Sequence, residues 1–353
     1  MKKRMRSLQS TRPWLRGCLI WLLLVLLLLS ATGCAGTPTG RESREAERST
    51  DLPLRKSILV LDWTPNTNHS GVYVALEKGY YREEGIALEI EQPPEDGAEA
   101  LVAAGRADFG VSFQDYLAPA LAGSQPLPLL AVAALVNHNS SGIVALASSG
   151  IGRPAELEGR RYATWDLPVE RAMMENVIRA DGGDPGRVEW IPTTVSDIVT
   201  SLETLVDAVW IFYAWDGIAL DVKGIDHSYF AFADINPVFD YYTPVLITNE
   251  ERLRQEPDFV RAFLRATRRG YEDAIRDPEE AAEILLRHAP ELDPELVRAS
   301  QVWLSDRYIA DAPRWGWIEA ERWDAFYAWL AEEGLIARQL PPGAGFSNDY
   351  LPE

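Results

Sequence analysis

Residues 58–92 read ILVLDWTPNTNHSGVYVALEKGYYREEGIALEIEQ, and this stretch decides the fold class. A short apolar run, ILVLDW, leads into a polar loop, then a helical pattern over residues 71–82, then a second short run, IALEIEQ. Apolar runs of that length bounded by turn residues are strands, whereas recurrence at i, i+3 and i+4 marks the helix between them. Strand, helix and strand in succession predict a parallel sheet covered by helices.

The pattern continues outward. AEALVAAG is helical, DFGVSF is a third strand running into a helix that reaches Ala122, and LPLLAVAALV is a buried-strand run. The Gly and Ser density of NHNSSGIVALASSGI then reads as a passage between lobes. A second series follows: RRYATW, a helix over residues 169–181, the turn DGGDPG, the strand VEWIPT, a helix over residues 196–205 and the strand-like DAVWIF. Beyond YFAFADINPVFDYYTPVLITN the chain turns helical, with Pro257, Pro278, Pro294 and Pro313 punctuating amphipathic stretches. The expected architecture is α/β: two lobes with a cleft between them and two crossovers. Lobe one takes residues 54–140 with 244–353, and lobe two takes residues 141–243, the return lying near residues 242–245.

The chain has 353 residues, 47% of them apolar, and 34 Lys+Arg against 53 Asp+Glu, a net charge of −19. Such acidity argues against nucleic acid, whose phosphates need clustered cations. Two cysteines, Cys18 and Cys34, exclude a disulfide framework or a Cys-rich metal site. The four histidines form no HExxH pattern, and no nucleophile elbow, P-loop or dinucleotide fingerprint stands in a strand-to-helix context. Neither metal nor cofactor is expected, and no catalytic residue is assigned.

The N-terminus reads as an export signal. Lys2, Lys3, Arg4, Arg6, Arg12 and Arg16 precede the apolar run LIWLLLVLLLL, which is shorter than the ~20 residues of a membrane span. Ala31-Thr32-Gly33-Cys34 resembles the lipobox of bacterial lipoprotein precursors. Residues 1–33 are therefore the expected signal peptide, and residues 34–53 the lipidated Cys34 with a flexible tether. Cleavage there removes six basic residues and no acidic one, leaving 28 against 53 and a net charge of −25. A lipid on Cys34 would hold the protein at the extracytoplasmic face of the cell membrane.

In open α/β sheets ligands sit beyond the carboxyl ends of the strands, so residues just after each strand are the binding candidates. After the first strand come Trp63, a rigid aromatic face, Asn66, donor and acceptor, and His69. The third strand runs into Gln114, Asp115 and Tyr116; a helix dipole accounts for Asp115 equally well. Ser140 stands at the supposed hinge. In the second lobe Trp165 ends a strand and Glu170 enters the first turn of a helix opened by Pro168. The segment VWIFYAWDGI concentrates Trp210, Tyr213 and Trp215, and Tyr242 lies at the second crossing. Trp303, Trp315, Trp317, Trp323 and Trp329 read as packing residues on amphipathic helices.

The stretches LDWTPNTNHSGVYVALEKGYYREEGIALEI, LVAAGRADFGVSFQD, WIFYAWDGI, DYYTPVLITN and GFSNDYLP resemble the periplasmic binding proteins of the thiamine-precursor family, related to yeast pyrimidine synthases and bacterial riboflavin-binding lipoproteins. The resemblance implies a type II two-lobed fold, an ABC permease and its ATPase as partners, and a flat heteroaromatic ligand. It places Trp63, Asn66 and His69 against the ring from lobe one, and Glu170 with the aromatics of residues 210–215 from lobe two. Aromatic density at the rim favours riboflavin; the alternative is a formylaminopyrimidine or hydroxymethylpyrimidine precursor of thiamine, and a more distant one is a pyrimidine-synthase-like enzyme. Those enzymes resemble this chain around His69 but use a cysteine-rich segment that it lacks.

Overall fold

The computed structural model describes residues 53–353 apart from Asp96 and Ser196. The expected signal peptide, Cys34 and the tether through residue 52 lie outside the described residues.

Two five-stranded sheets organise the described residues. The first has the order β2-β1-β3-β10-β4, built from β1 (Arg55–Val60), β2 (Ile86–Glu91), β3 (Phe109–Ser112), β4 (Leu129–Ala134) and β10 (Val245–Asn249). The second has the order β7-β6-β8-β5-β9, from β5 (Ser141–Leu146), β6 (Arg161–Thr164), β7 (Glu189–Pro192), β8 (Ala208–Phe212) and β9 (His227–Ala231). The two orders match position for position, so the lobes share one topology.

The sheets are mixed, not purely parallel as the strand–helix alternation predicts. β1 pairs in parallel with β2 and β3, but β10 runs antiparallel to β3 and β4. Likewise β6 is parallel to β7 and β8, while β5 is antiparallel to β8 and β9. Each reversed strand, β5 and β10, is the first strand after a crossing between sheets, and a chain entering from the other lobe runs against its new neighbours. The passage SGIVAL is thus an interior strand: its residues from Ser141 to Ala145 are buried, and its glycine accommodates the backbone of Phe230 and Ala231, which a Cβ at Gly142 would meet.

Local chemistry sets the element ends. The first helix stops at Glu77 and a second begins at Tyr80, because Gly79 takes φ +77° between them. Pro257, Pro278 and Pro294 each open a helix in its first turn; Pro313 lies in a turn instead. Helix Pro257–Arg276 buries Val260, Phe263, Leu264, Thr267, Tyr271 and Ala274 at helical spacing. Removing Phe263 and Leu264 from water contributes about 1.5–3 kcal/mol each. Arg265 and Arg269 of the same helix face outward onto Glu84 and Glu83, both at 2.6 Å, where an ion pair contributes at most about 1 kcal/mol. Trp315, Trp323 and Trp329 are buried as packing residues. Among the described residues no helix is long and apolar enough to cross a membrane.

Both crossings are tied to lobe one. Asp240 accepts from the backbone N–H of Asn139 (2.9 Å), and Arg322 donates to Asp240 (2.9 Å) and to the Asn137 carbonyl (2.8 Å).

Candidate functional site

The carboxyl ends of β1 and β3 in one sheet face those of β6 and β8 in the other across a cleft of two adjoining chambers. The first, about 310 Å³, lies between the loop after β1 and the end of β8, lined by Asp62, Trp63, Asn66, Val209, Trp215 and Asp216 among others. The second, about 590 Å³, lies between the starts of helices Gln114–Ala122 and Pro168–Ala180, lined by Asp115, Tyr116, Leu167, Glu170 and Tyr241 among others. Phe113, Trp165, Trp210, Phe212 and Thr243 belong to both. Phe113 and Phe212 approach from opposite lobes, near-parallel, with centroids 6.5 Å apart.

The loop after β1 is held from within. Asn66 caps the turn Thr67–His69: its Oδ1 accepts from the Asn68 N–H (2.9 Å) and its Nδ2 donates to the Thr64 carbonyl (3.1 Å). The Asn66 N–H donates to His69 Nδ1 (3.2 Å), completing a reciprocal capping box. With Nδ1 accepting, the ring proton is on Nε2, which donates to Asp62 Oδ1 at 2.6 Å. His69 is fully buried and lines neither chamber. It holds Asp62, which lines the first chamber, and so stands behind the cleft wall and not at its surface, where the expected contact with the ring would place it. Trp63 stands 55% exposed, its face free.

The sequence candidates divide cleanly. Trp63, Asn66, Tyr116, Trp165, Glu170, Trp210 and Trp215 line the cleft. Gln114 does not: buried, it donates to the Trp323 carbonyl (2.8 Å) and accepts from the Tyr242 N–H (2.9 Å), fastening the second crossing to lobe one. Tyr242 is equally buried, its hydroxyl accepting from the Glu319 N–H and its ring lying under the Arg322 guanidinium. Ser140 and Tyr213 sit on the other side of β8, where the Ser140 carbonyl accepts from the Tyr213 N–H and the Tyr213 hydroxyl donates to Asp221 (2.8 Å). The pleat separates Tyr213 from Trp210 and Phe212, as strand periodicity requires.

Reading the rim for aromatics and amides misses Asp62 and Asp216. Asp62 stands in the loop just after β1 and Asp216 in the turn that follows β8, and that position past a strand end is the available signal. Asp216 belongs to the π-helical turn Tyr213–Gly217, and Ser300 buttresses this turn: its hydroxyl donates to the Ala214 carbonyl and pairs with Thr67 Oγ1 at 2.6 Å. One buried side chain therefore links the Asp62 loop to the Asp216 turn.

Electrostatically the cleft is acidic. Among the described residues lining the chambers there is no Lys, Arg or His, while Asp62, Asp115, Glu170 and Asp216 contribute carboxylates. Burial pushes the Asp216 carboxyl up to about 6. Glu170 is also raised by burial, against hydrogen bonds from Thr164 Oγ1 (2.9 Å), the Tyr162 hydroxyl (3.0 Å) and the Trp165 N–H (2.9 Å). Burial, with the nearby Glu99 charge, pushes Asp115 up to about 7. A carboxyl that holds its proton more tightly folded than unfolded contributes stability at pH below about 4 and loses it as pH rises toward 7. Asp115→Asn should accordingly match the wild type in melting temperature near pH 4 and exceed it by roughly 2–5 °C at pH 8; a lower melting temperature at pH 8 would refute the assignment. Among the described residues no group of three or more His, Cys, Asp or Glu is placed to hold a metal.

Residues 66–281 match the family model described as NMT1/THI5 like. A formylaminopyrimidine-binding protein from Halalkalibacterium halodurans is 31% identical over 85% of this chain and 92% of its own. A 4-amino-5-hydroxymethyl-2-methylpyrimidine phosphate synthase from Legionella pneumophila is 26% identical over 66% of this chain and 74% of its own. A riboflavin-binding protein from Chloroflexus aurantiacus is 23% identical over 93% and 96%. Among solved structures, the alkanesulfonate-binding protein of Xanthomonas axonopodis pv. citri superposes with TM-score 0.63 at 15% identity, covering 83% of this chain and 98% of that one. The fold is that of a type II periplasmic binding protein.

Proposed function

From the premise that the chain belongs to the NMT1/THI5-like family, we propose that it is the substrate-binding component of an ABC importer and captures an aminopyrimidine precursor of thiamine. The observation that carries this reading is the pair of carboxylates, Asp62 and Asp216, in one aromatic-walled chamber with no Lys, Arg or His among its described lining residues. An aminopyrimidine offers a flat face for Trp63 and Trp215 and amino hydrogens for the carboxylates. The relative bearing the name formylaminopyrimidine-binding protein, 31% identical, supports the choice of the pyrimidine ring.

Riboflavin, favoured by aromatic density alone, becomes the second reading. The second chamber and the wall of Trp165 and Trp210 favour it. The edge of its ring system, however, presents mainly carbonyl and imine acceptors, which carboxylates repel. The cleft equally disfavours phosphorylated or sulfonated ligands, which need cationic or N–H donors. That speaks against a synthase acting on a phosphorylated cofactor, and the chain is read as a carrier without turnover. Cys34 is the proposed lipid attachment, holding the protein outside the membrane beside its permease.

Titration of the full-length chain in detergent, followed by tryptophan fluorescence, tests the assignment. Saturable quenching by an aminopyrimidine with no response to riboflavin is the expected result; the reverse response would make this a flavin carrier. Trp63→Ala should weaken pyrimidine binding by about 1–3 kcal/mol, the scale of base–aromatic stacking, with the fold intact by circular dichroism. Unchanged affinity would remove Trp63 from the site.

A further inference from the structure

The aminopyrimidine reading leaves the larger chamber without an occupant. Its chemistry is distinct. Glu170 is internally satisfied by three donors, whereas among the described residues no side chain donates to Asp115. Aromatic side chains line the same chamber: Tyr116 is 46% and Trp165 42% exposed, and Phe113 meets Tyr116 edge-on with centroids 5.3 Å apart. Phe113, Trp165, Trp210, Phe212 and Thr243 line both chambers, so a single ligand can reach from one into the other.

Resting on the aminopyrimidine reading for the first chamber, we propose that the second chamber binds a cationic substituent of the same ligand, an ammonium or quaternary nitrogen. Three features select that class. Aromatic faces attract a cation through their quadrupoles. The carboxylate of Asp115 gains the counter-ion that it lacks in the free protein, and its upward displacement has burial as its main cause. No Lys, Arg or His among the described lining residues opposes the charge. A neutral substituent would fill the space and leave Asp115 unpaired, and an anion would meet two carboxylates.

The test compares three probes on the full-length protein by fluorescence titration at pH 7.5. They are an aminopyrimidine bearing an aminomethyl group, which is protonated there, its neutral N-formyl amide, and benzyltrimethylammonium. The amine should bind about tenfold or more tightly than the amide. That preference should fall toward one in Asp115→Asn and, independently, in Tyr116→Leu, so a folding failure in one variant leaves the other to report. Equal or tighter binding of the amide, or a preference unmoved in both variants, would overturn the second-chamber assignment and leave the ring-binding reading standing. Saturation by benzyltrimethylammonium without either pyrimidine would support the cation chamber and defeat the ring-binding reading; binding of none of the three would overturn both.

Discussion

Asp216→Asn should weaken aminopyrimidine binding by about 30- to 300-fold, because a charge-assisted hydrogen bond in a buried site is worth roughly 2–3.5 kcal/mol over its neutral replacement. The amide keeps the shape of the carboxylate, yet half of it presents N–H groups to a ligand that is itself a donor. The same residue sets the pH dependence. In the free protein the carboxyl is raised to about 6 by burial, so below that pH it carries a proton that an incoming amino group must displace. Affinity should be flat above about pH 7 and fall by up to tenfold per pH unit beneath 6. In Asp216→Asn this acid limb should disappear. Calorimetric titration at pH 5, 6 and 7.5 reads both effects, and a wild-type affinity constant across that range would exclude Asp216 from ligand contact.

Gly270→Val should cost about 3–5 kcal/mol of stability or prevent folding altogether. Helix Pro257–Arg276 crosses helix Ser70–Glu77 with glycine against glycine. A Cβ at Gly270 would lie on the carbonyl oxygen of Gly71 and within 2.8 Å of the Ala75 Cβ and amide nitrogen. A Cβ at Gly71 would in turn enter the ring of Tyr271. Backbone cannot yield as a flexible side-chain tip does, so the helices must separate, and overpacking becomes loss of the interface. The helix pushed aside follows directly on the loop that carries Asp62, Asn66 and His69, so ligand binding should be lost with the fold. Gly152→Ala is the control: its Cβ would meet only the Glu156 carboxylate at 3.6 Å, and its effect should stay within about 0.5 kcal/mol. Chemical denaturation measures both, and a Gly270→Val protein as stable as the wild type would show that this crossing is not close-packed in solution.

Much of this molecule is legible in its sequence. Alternating apolar runs and helical spacings identify most strands and the two-lobed α/β class, because burial of one helix stripe or of a whole strand leaves a periodic trace. Residues at strand ends mark the rim, so Trp63, Trp165, Trp210 and Trp215 could be found by position alone. SGIVAL escaped as a strand because glycine and serine are weak strand signals. It is one because β8 and β9 pair with it on either side, and pairing partners 60 and more residues away leave no mark on the segment itself.

Tertiary structure decided which polar rim residues are available. His69, Gln114 and Tyr242 have the chemistry and the chain position of ligand contacts, but Asp62, the Trp323 carbonyl and the Glu319 N–H take up their hydrogen-bonding groups. Asp62 and Asp216, two among 53 acidic residues, stand out only when the fold brings them into one chamber. A sequence states which groups a residue carries and how far along the chain it stands. Whether those groups face a ligand depends on desolvation and on partners supplied by distant segments, and these exist only once the chain has packed.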